Sequence, residues 1–87
     1  MADYYILTFE NTSQAIKFEA LCKEKKVMGS LIPVPRRISS SCGLAARFPF
    51  SFKETVLGIC RERNVGVEAL YLFSGDGNSL HIEQQVI

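Results

Sequence analysis

Ser30-Leu31-Ile32-Pro33-Val34-Pro35 is the stretch that decides how this chain folds. Its apolar, β-branched character reads as extended backbone. Pro33 and Pro35 stand two residues apart, so their missing N–H groups fall on the same side of a strand. Such a strand can pair on one side only and belongs at the edge of a sheet. Upstream, Tyr4-Tyr5-Ile6-Leu7-Thr8-Phe9 is a nearly continuous apolar run that reads as a central strand. Asn11 with Gln14 three residues later forms a capping-box pattern that opens a helix predicted over residues 12–28. Lys23, Lys25 and Lys26 fall in its last turns, where cations complement the helix dipole, and Gly29 is placed to end it in the left-handed conformation. Its apolar residues lie on more than one side (Ala15, Phe18 and Cys22; Ile16, Ala20 and Val27), so its orientation is not fixed by pattern.

Downstream of the two prolines, residues 36–43 form a serine-rich loop, and Leu44 to Phe48 reads as a strand closed by Pro49. Ser51 with Glu54 suggests a second capping box and a helix to about residue 63, where Asn64 closes it. Phe52, Val56, Ile59 and Cys60 make its inward stripe. Val65 to Phe73 reads as a fourth strand. The order β-α-β-β-α-β implies an α+β fold of ferredoxin-like plan: a two-layer sandwich with an antiparallel sheet and two helices on one face. In that plan the second strand is an edge, which the proline spacing indicates independently. The core domain is expected over residues 1–73, with residues 74–87 as a tail or an added strand. Gly75-Asp76-Gly77-Asn78 is a turn signal, and Leu80, Ile82 and Gln84 alternate with polar neighbours, which favours a fifth strand folded back on the fourth over an unstructured tail.

The chain has 87 residues, 47% hydrophobic and 22% charged, as in an ordinary single globular domain. At this length about two-thirds of the surface can be buried, enough for one core without staples. Six glycines and three prolines exclude collagen-like or low-complexity structure. No apolar run approaches the ~20 residues needed to span a membrane. Met1-Ala2-Asp3 has no basic region followed by an apolar stretch, so no signal peptide is expected and a cytoplasmic protein is the default. Net charge is +1, but residues 21–47 carry +5 while the segments on either side carry −2 each. That basic middle third is either a solvated face or a local field that serves an anion.

Three cysteines, Cys22, Cys42 and Cys60, are widely spaced, and His81 is the one histidine. The set offers neither a structural zinc site nor a disulfide framework. Cys22 and Cys60 have apolar helical neighbours and read as small buried hydrophobes. Cys42 differs: three serines and Gly43 give it little apolar cover, and Arg36, Arg37 and Arg47 lie on either side in sequence. Positive charge favours the thiolate, and serine hydroxyls and loop N–H groups can donate to it. From composition alone, Cys42 is either a reactive thiol or a loop cysteine with no role. Hydrolytic catalysis lacks partners, since it needs a positioned base and His81 reads as a surface residue in the tail. No Gly-rich phosphate loop and no paired carboxylates are present. A single thiol without a base suits a carrier better than a turnover enzyme.

Pro33-Val34-Pro35-Arg36 and Ser39-Ser40-Ser41-Cys42-Gly43-Leu44-Ala45 strongly resemble a family of small bacterial proteins described as selenium/sulfur carriers. The strand Tyr4 to Phe9, Ala15 in the first helix and Gly29-Ser30-Leu31-Ile32 extend the resemblance, which covers about residues 4–73. It implies that Cys42 is the carrier thiol, loaded as a persulfide or its selenium analogue. Arg36, Arg37 and Arg47 would then stabilise the anionic sulfur, and Ser40, Ser41 and Gly43 would shape the loop. It implies a cysteine desulfurase or other chalcogen donor, and a selenophosphate synthetase or sulfur-carrier protein as acceptor, with no cofactor or metal. The rival is a non-enzymatic binding module in which the Arg/Ser loop holds an anion or an acidic patch and Cys42 is incidental or redox-sensing. Nucleic-acid binding is disfavoured by the near-neutral charge and the lack of a stacking motif on the middle strands. Pairing of two copies through the tail or the sheet is compatible with this plan. Sulfur and selenium are not distinguished, because both use the same thiol.

Overall fold

The computed structural model describes residues 3–38, 40, 42–75 and 80–86. The elements run β1 (Tyr4–Phe9), α1 (Thr12–Lys25), β2 (Ser30–Pro33), β3 (Leu44–Pro49), α2 (Lys53–Glu62), β4 (Val67–Ser74) and β5 (His81–Gln85). The strands form one antiparallel sheet in the order β2-β3-β1-β4-β5, the ferredoxin-like plan with an extra strand. β1 is central, and β2 is an edge, as the proline spacing predicts. β5 lies against β4 from Leu70↔Gln85 to Ser74↔His81 and covers what would be the other edge. Of the turn signal at residues 75–78, Gly75 is described, with φ 91°, and the rest lies outside the described residues.

Alternation along the strands separates two apolar layers. Tyr5, Leu7 and Phe9 of β1, Ala46 and Phe48 of β3 and Leu70 of β4 face the helices, where Phe18, Val56 and Ile59 complete the main core. Ile6, Ala45 and Phe73 face the other way, half-covered by Val34, Ile38 and Ile82. Among the described residues, no helix is long and apolar enough to cross a membrane.

The helix ends differ from the sequence reading in three places. Asn11 caps α1 through its side-chain oxygen, which accepts from the Gln14 N–H at 3.2 Å. Gln14 does not close the box; its Oε1 accepts instead from the Gly66 N–H at 2.8 Å, tying α1 to the approach of β4. At the other end α1 stops at Lys25, and Lys26, not Gly29, takes the left-handed conformation with φ 55°. The Val27 N–H reaches back five residues to the Cys22 carbonyl at 2.9 Å, the wider-spanning bond of a Schellman motif, and Val27 folds onto the core. Packing of Val27 outweighs the steric preference for glycine. In α2, a 3₁₀ turn over Phe50–Phe52 precedes the helix and Phe52 occupies the cap with no side-chain hydrogen bond, so the Ser51–Glu54 box does not form. Asn64, with φ 56°, does close α2, and the Val65 N–H bonds the Cys60 carbonyl at 3.0 Å.

Candidate functional site

β1 and β2 run parallel, with β3 between them, so the segments that leave their carboxyl ends emerge at one end of the sheet. One is the start of α1; the other is the loop from Val34 to Gly43. The loop is closed at its base by the Val34 N–H donating to the Gly43 carbonyl at 3.2 Å. At its tip the Ile38 N–H bonds the Pro35 carbonyl at 3.2 Å, which places Arg36 and Arg37 at the exposed corners of a β-turn.

Beyond that turn the chain comes back over the end of β1. The Ser40 hydroxyl donates to a carboxylate oxygen of Glu68 on β4 at 2.7 Å. The same hydroxyl accepts the Cys42 N–H at 3.1 Å. Glu68 can reach because β4 carries a bulge there: Thr8 opposes Ala69 while Phe9 opposes Val67, which leaves Glu68 as the extra residue. This anchoring turns Cys42 inward. Its side chain is only 3% exposed and joins the helix-side core. The expectation of a thiol with little apolar cover is therefore corrected: the loop is polar in composition, but its hydrogen bonds fold the cysteine beneath it.

The Cys42 sulfur ends at the first turn of α1. The Leu44 N–H donates to Sγ at 3.4 Å, and the Thr12 hydroxyl lies 3.8 Å from Sγ. A thiolate there meets a backbone dipole, a hydroxyl and the positive end of a 14-residue helix. Among the described residues it is the one sulfur with hydrogen-bonding neighbours. Cys22 and Cys60 are buried between helices and sheet, and burial pushes both thiols up. For Cys22 the Glu19 carboxylate adds to the effect. For Cys60 the Cys22 sulfur adds and Arg61 opposes, leaving it at about 11.

The structure separates the remaining candidates. Ser40 and Gly43 join Cys42 at the end of β1. Arg36 and Arg37 share its loop but make no ion pair or hydrogen bond to it among the described residues. Ser41 lies outside the described residues. Arg47 is elsewhere: it sits about 10 Å down β3 from Leu44 and projects from the opposite face. There its guanidinium lies 4.3 Å from the centre of the Tyr4 ring, beside a cleft of about 410 Å³ bordered by Met28 and Ser30. His81 is exposed on β5 opposite Ser74, near the end of β1 where Tyr4 lies and away from Cys42. Among the described residues, no group of three His, Cys, Asp or Glu side chains converges on one point suited to a metal ion.

A family model described as "Putative Se/S carrier protein-like" matches residues 4–72. The chain belongs to this family. No curated protein and no solved structure matches it. The stretch matched to the Se/S carrier family takes in the whole loop, α1 and the β4 bulge, so every group that touches Cys42 lies inside it. Two of those groups, Thr12 and Glu68, are not marked by local sequence, because each meets the loop only through the topology. The signal that locates Thr12 is the β-α-β order itself, which puts the start of the first helix and the loop after the second strand at one end.

Proposed function

We propose that this protein receives a sulfur or selenium atom on Cys42 and hands it to a second protein, acting as a carrier and not as a turnover enzyme. Membership of the Se/S carrier family supports a chalcogen cargo. The observation that carries the assignment to Cys42 is its setting: an N–H and a hydroxyl converge on its sulfur, and among the described residues neither Cys22 nor Cys60 has such neighbours. The donor is a protein persulfide or its selenium analogue, as a cysteine desulfurase forms. The Cys42 thiolate attacks the terminal atom; a bond from Sγ to that atom forms, the donor's own bond to it breaks, and its electron pair leaves on the donor cysteine. Attack by an acceptor, such as a selenophosphate synthetase or a sulfur-carrier protein, reverses the exchange, so no outside oxidant or reductant is needed. Ser40, held by Glu68, fixes the backbone of Cys42. The cytoplasm, where thiols stay reduced, suits this chemistry.

Arg36 and Arg37 favour a second role for the same loop. They are exposed at its tip with no ion-pair partner among the described residues, a setting for a partner's acidic patch or a small anion. The experiment is intact mass after incubation with an active cysteine desulfurase and either cysteine or selenocysteine, for wild type and Cys42→Ala. Gain of one chalcogen atom by wild type alone is expected. Equal gain by Cys42→Ala overturns the assignment. No gain by either, together with phosphate-sensitive partner binding that survives Cys42→Ala, moves the function to the arginine turn.

A further inference from the structure

Leu44 and Thr12 approach the Cys42 sulfur in different ways. The Leu44 N–H is fixed by the β3 backbone and always donates. The Thr12 hydroxyl, 3.8 Å from Sγ, rotates and can do either. While the sulfur is protonated, its S–H can donate to Oγ1; once it is charged, only the hydroxyl can donate. The contact therefore persists through ionisation by reversing direction. Thr12 also stands apart from the loop it serves. It is the first residue of α1, set in place by the Asn11 cap, whereas Cys42 is set by Ser40 and Glu68. Cys42 is 3% exposed, and Thr12, whose hydroxyl touches its sulfur, is exposed on the first turn of α1.

We propose that Thr12 is a catalytic residue of chalcogen exchange at Cys42, its hydroxyl donating to Sγ when that sulfur carries the negative charge. This rests on Cys42 being the acceptor. The charge is on Sγ before attack on a donor persulfide and returns to it when the acceptor removes the terminal atom. A donor at that point acts in both directions of the exchange without changing its proton count. A hydrogen bond to a charged group shifts an equilibrium by about ten- to a hundredfold. An attacking thiolate gives back roughly the square root of that gain in nucleophilicity. The net contribution to the rate is then about three- to tenfold.

The test is the second-order rate at which iodoacetamide alkylates Cys42 at pH 7.5, read by peptide mass, in wild type, Thr12→Val and Thr12→Ser. Valine keeps the volume and removes the hydroxyl; serine keeps the hydroxyl and removes the methyl. Thr12→Val is expected to slow alkylation about three- to tenfold, with Thr12→Ser within twofold of wild type. A wild-type rate in Thr12→Val overturns the proposal, and so does equal slowing in both variants, which assigns Thr12 to packing. Circular dichroism checks the fold. Should Thr12→Val not fold, Thr12→Ala against Thr12→Ser isolates the same hydroxyl, and equal rates there overturn the proposal. A parallel loading reaction with the desulfurase separates the two ideas. Wild type that is not loaded removes the carrier function and this catalytic role with it. Loading of wild type with unchanged alkylation in Thr12→Val removes Thr12 alone.

Discussion

Cys60 offers the sharpest physical check on which thiol is built to react. It lies between α2 and the sheet, 5% exposed, and burial with the nearby Cys22 sulfur pushes its thiol up to about 11. At pH 8 a thiol at that value is ionised about one part in a thousand, against about a quarter for an ordinary thiol near 8.5. Ionisation alone therefore slows alkylation of Cys60 by about 250-fold, before any barrier from burial. The assay is iodoacetamide labelling of the folded protein from pH 7 to 10, quenched at intervals, with each cysteine followed by peptide mass. Cys42 should be labelled first. Cys60 should gain about tenfold in rate per pH unit and still be rising at pH 10, because the thiolate fraction keeps growing until about 11. A Cys60 rate that levels off near pH 8.5 would refute the burial argument. Labelling of Cys22 or Cys60 as fast as Cys42 would remove the physical distinction on which the carrier assignment rests.

Two further substitutions separate the groups that touch the site from those that share only its sequence neighbourhood. Arg47→Ala should leave loading of Cys42 within twofold of wild type and lower stability by about 0.5–1 kcal/mol, through loss of the exposed cation–π contact with Tyr4. A loading rate reduced more than tenfold in a folded Arg47→Ala protein contradicts its placement on the far face. Ser40→Ala removes the acceptor of the Cys42 N–H and the donor to Glu68 together. Urea titration should show a loss of about 1–2 kcal/mol, and labelling of Cys42 should quicken as its backbone is released; unchanged stability and labelling would show that the pair does not hold the loop.

Much of this arrangement is legible in the sequence because it depends on local rules. Pro33 and Pro35 place β2 at an edge whatever packs above it. Asn11 marks the start of α1 because an N-cap is satisfied within one turn, and Asn64 marks the end of α2 because it tolerates the left-handed turn there. Failures begin where a distant partner competes. Gln14 has the residue type to close the capping box, yet the Gly66 N–H takes it. Gly29 has the freedom to end α1, yet Val27 finds the core sooner and Lys26 bears the left-handed turn. The grouping of Arg47 with Cys42 follows from counting residues, whereas a strand alternates: with Ala46 and Phe48 facing the helices, Arg47 between them faces away. That signal is in the sequence once the strand is drawn. Glu68 is different, since its reach to Ser40 depends on a one-residue register shift against β1 that nothing in Val67-Glu68-Ala69 announces.

The separation of Arg47 from Cys42 has a consequence for how a carrier would work. A fixed cation against Sγ would stabilise the free thiolate at close range and the loaded anion, whose charge lies one atom further out, less strongly. Loading would be opposed and early release favoured, which defeats a group that must hold its cargo until it is passed on. Neutral donors act more evenly. The Leu44 N–H and the Thr12 hydroxyl lower the cost of charge on Sγ without adding a net charge that the departing atom must leave behind. The permanent charges, Arg36 and Arg37, sit instead at the turn tip, where they can orient an approaching partner over a Debye length of about 8 Å without binding its cargo. On this argument, moving a cation to the sulfur is the informative error. Thr12→Lys should hold less chalcogen than wild type at equilibrium with the same donor and release it to an acceptor thiol at least as fast. Fuller loading and slower release than wild type would show that the neutrality of the pocket is not what keeps the exchange balanced.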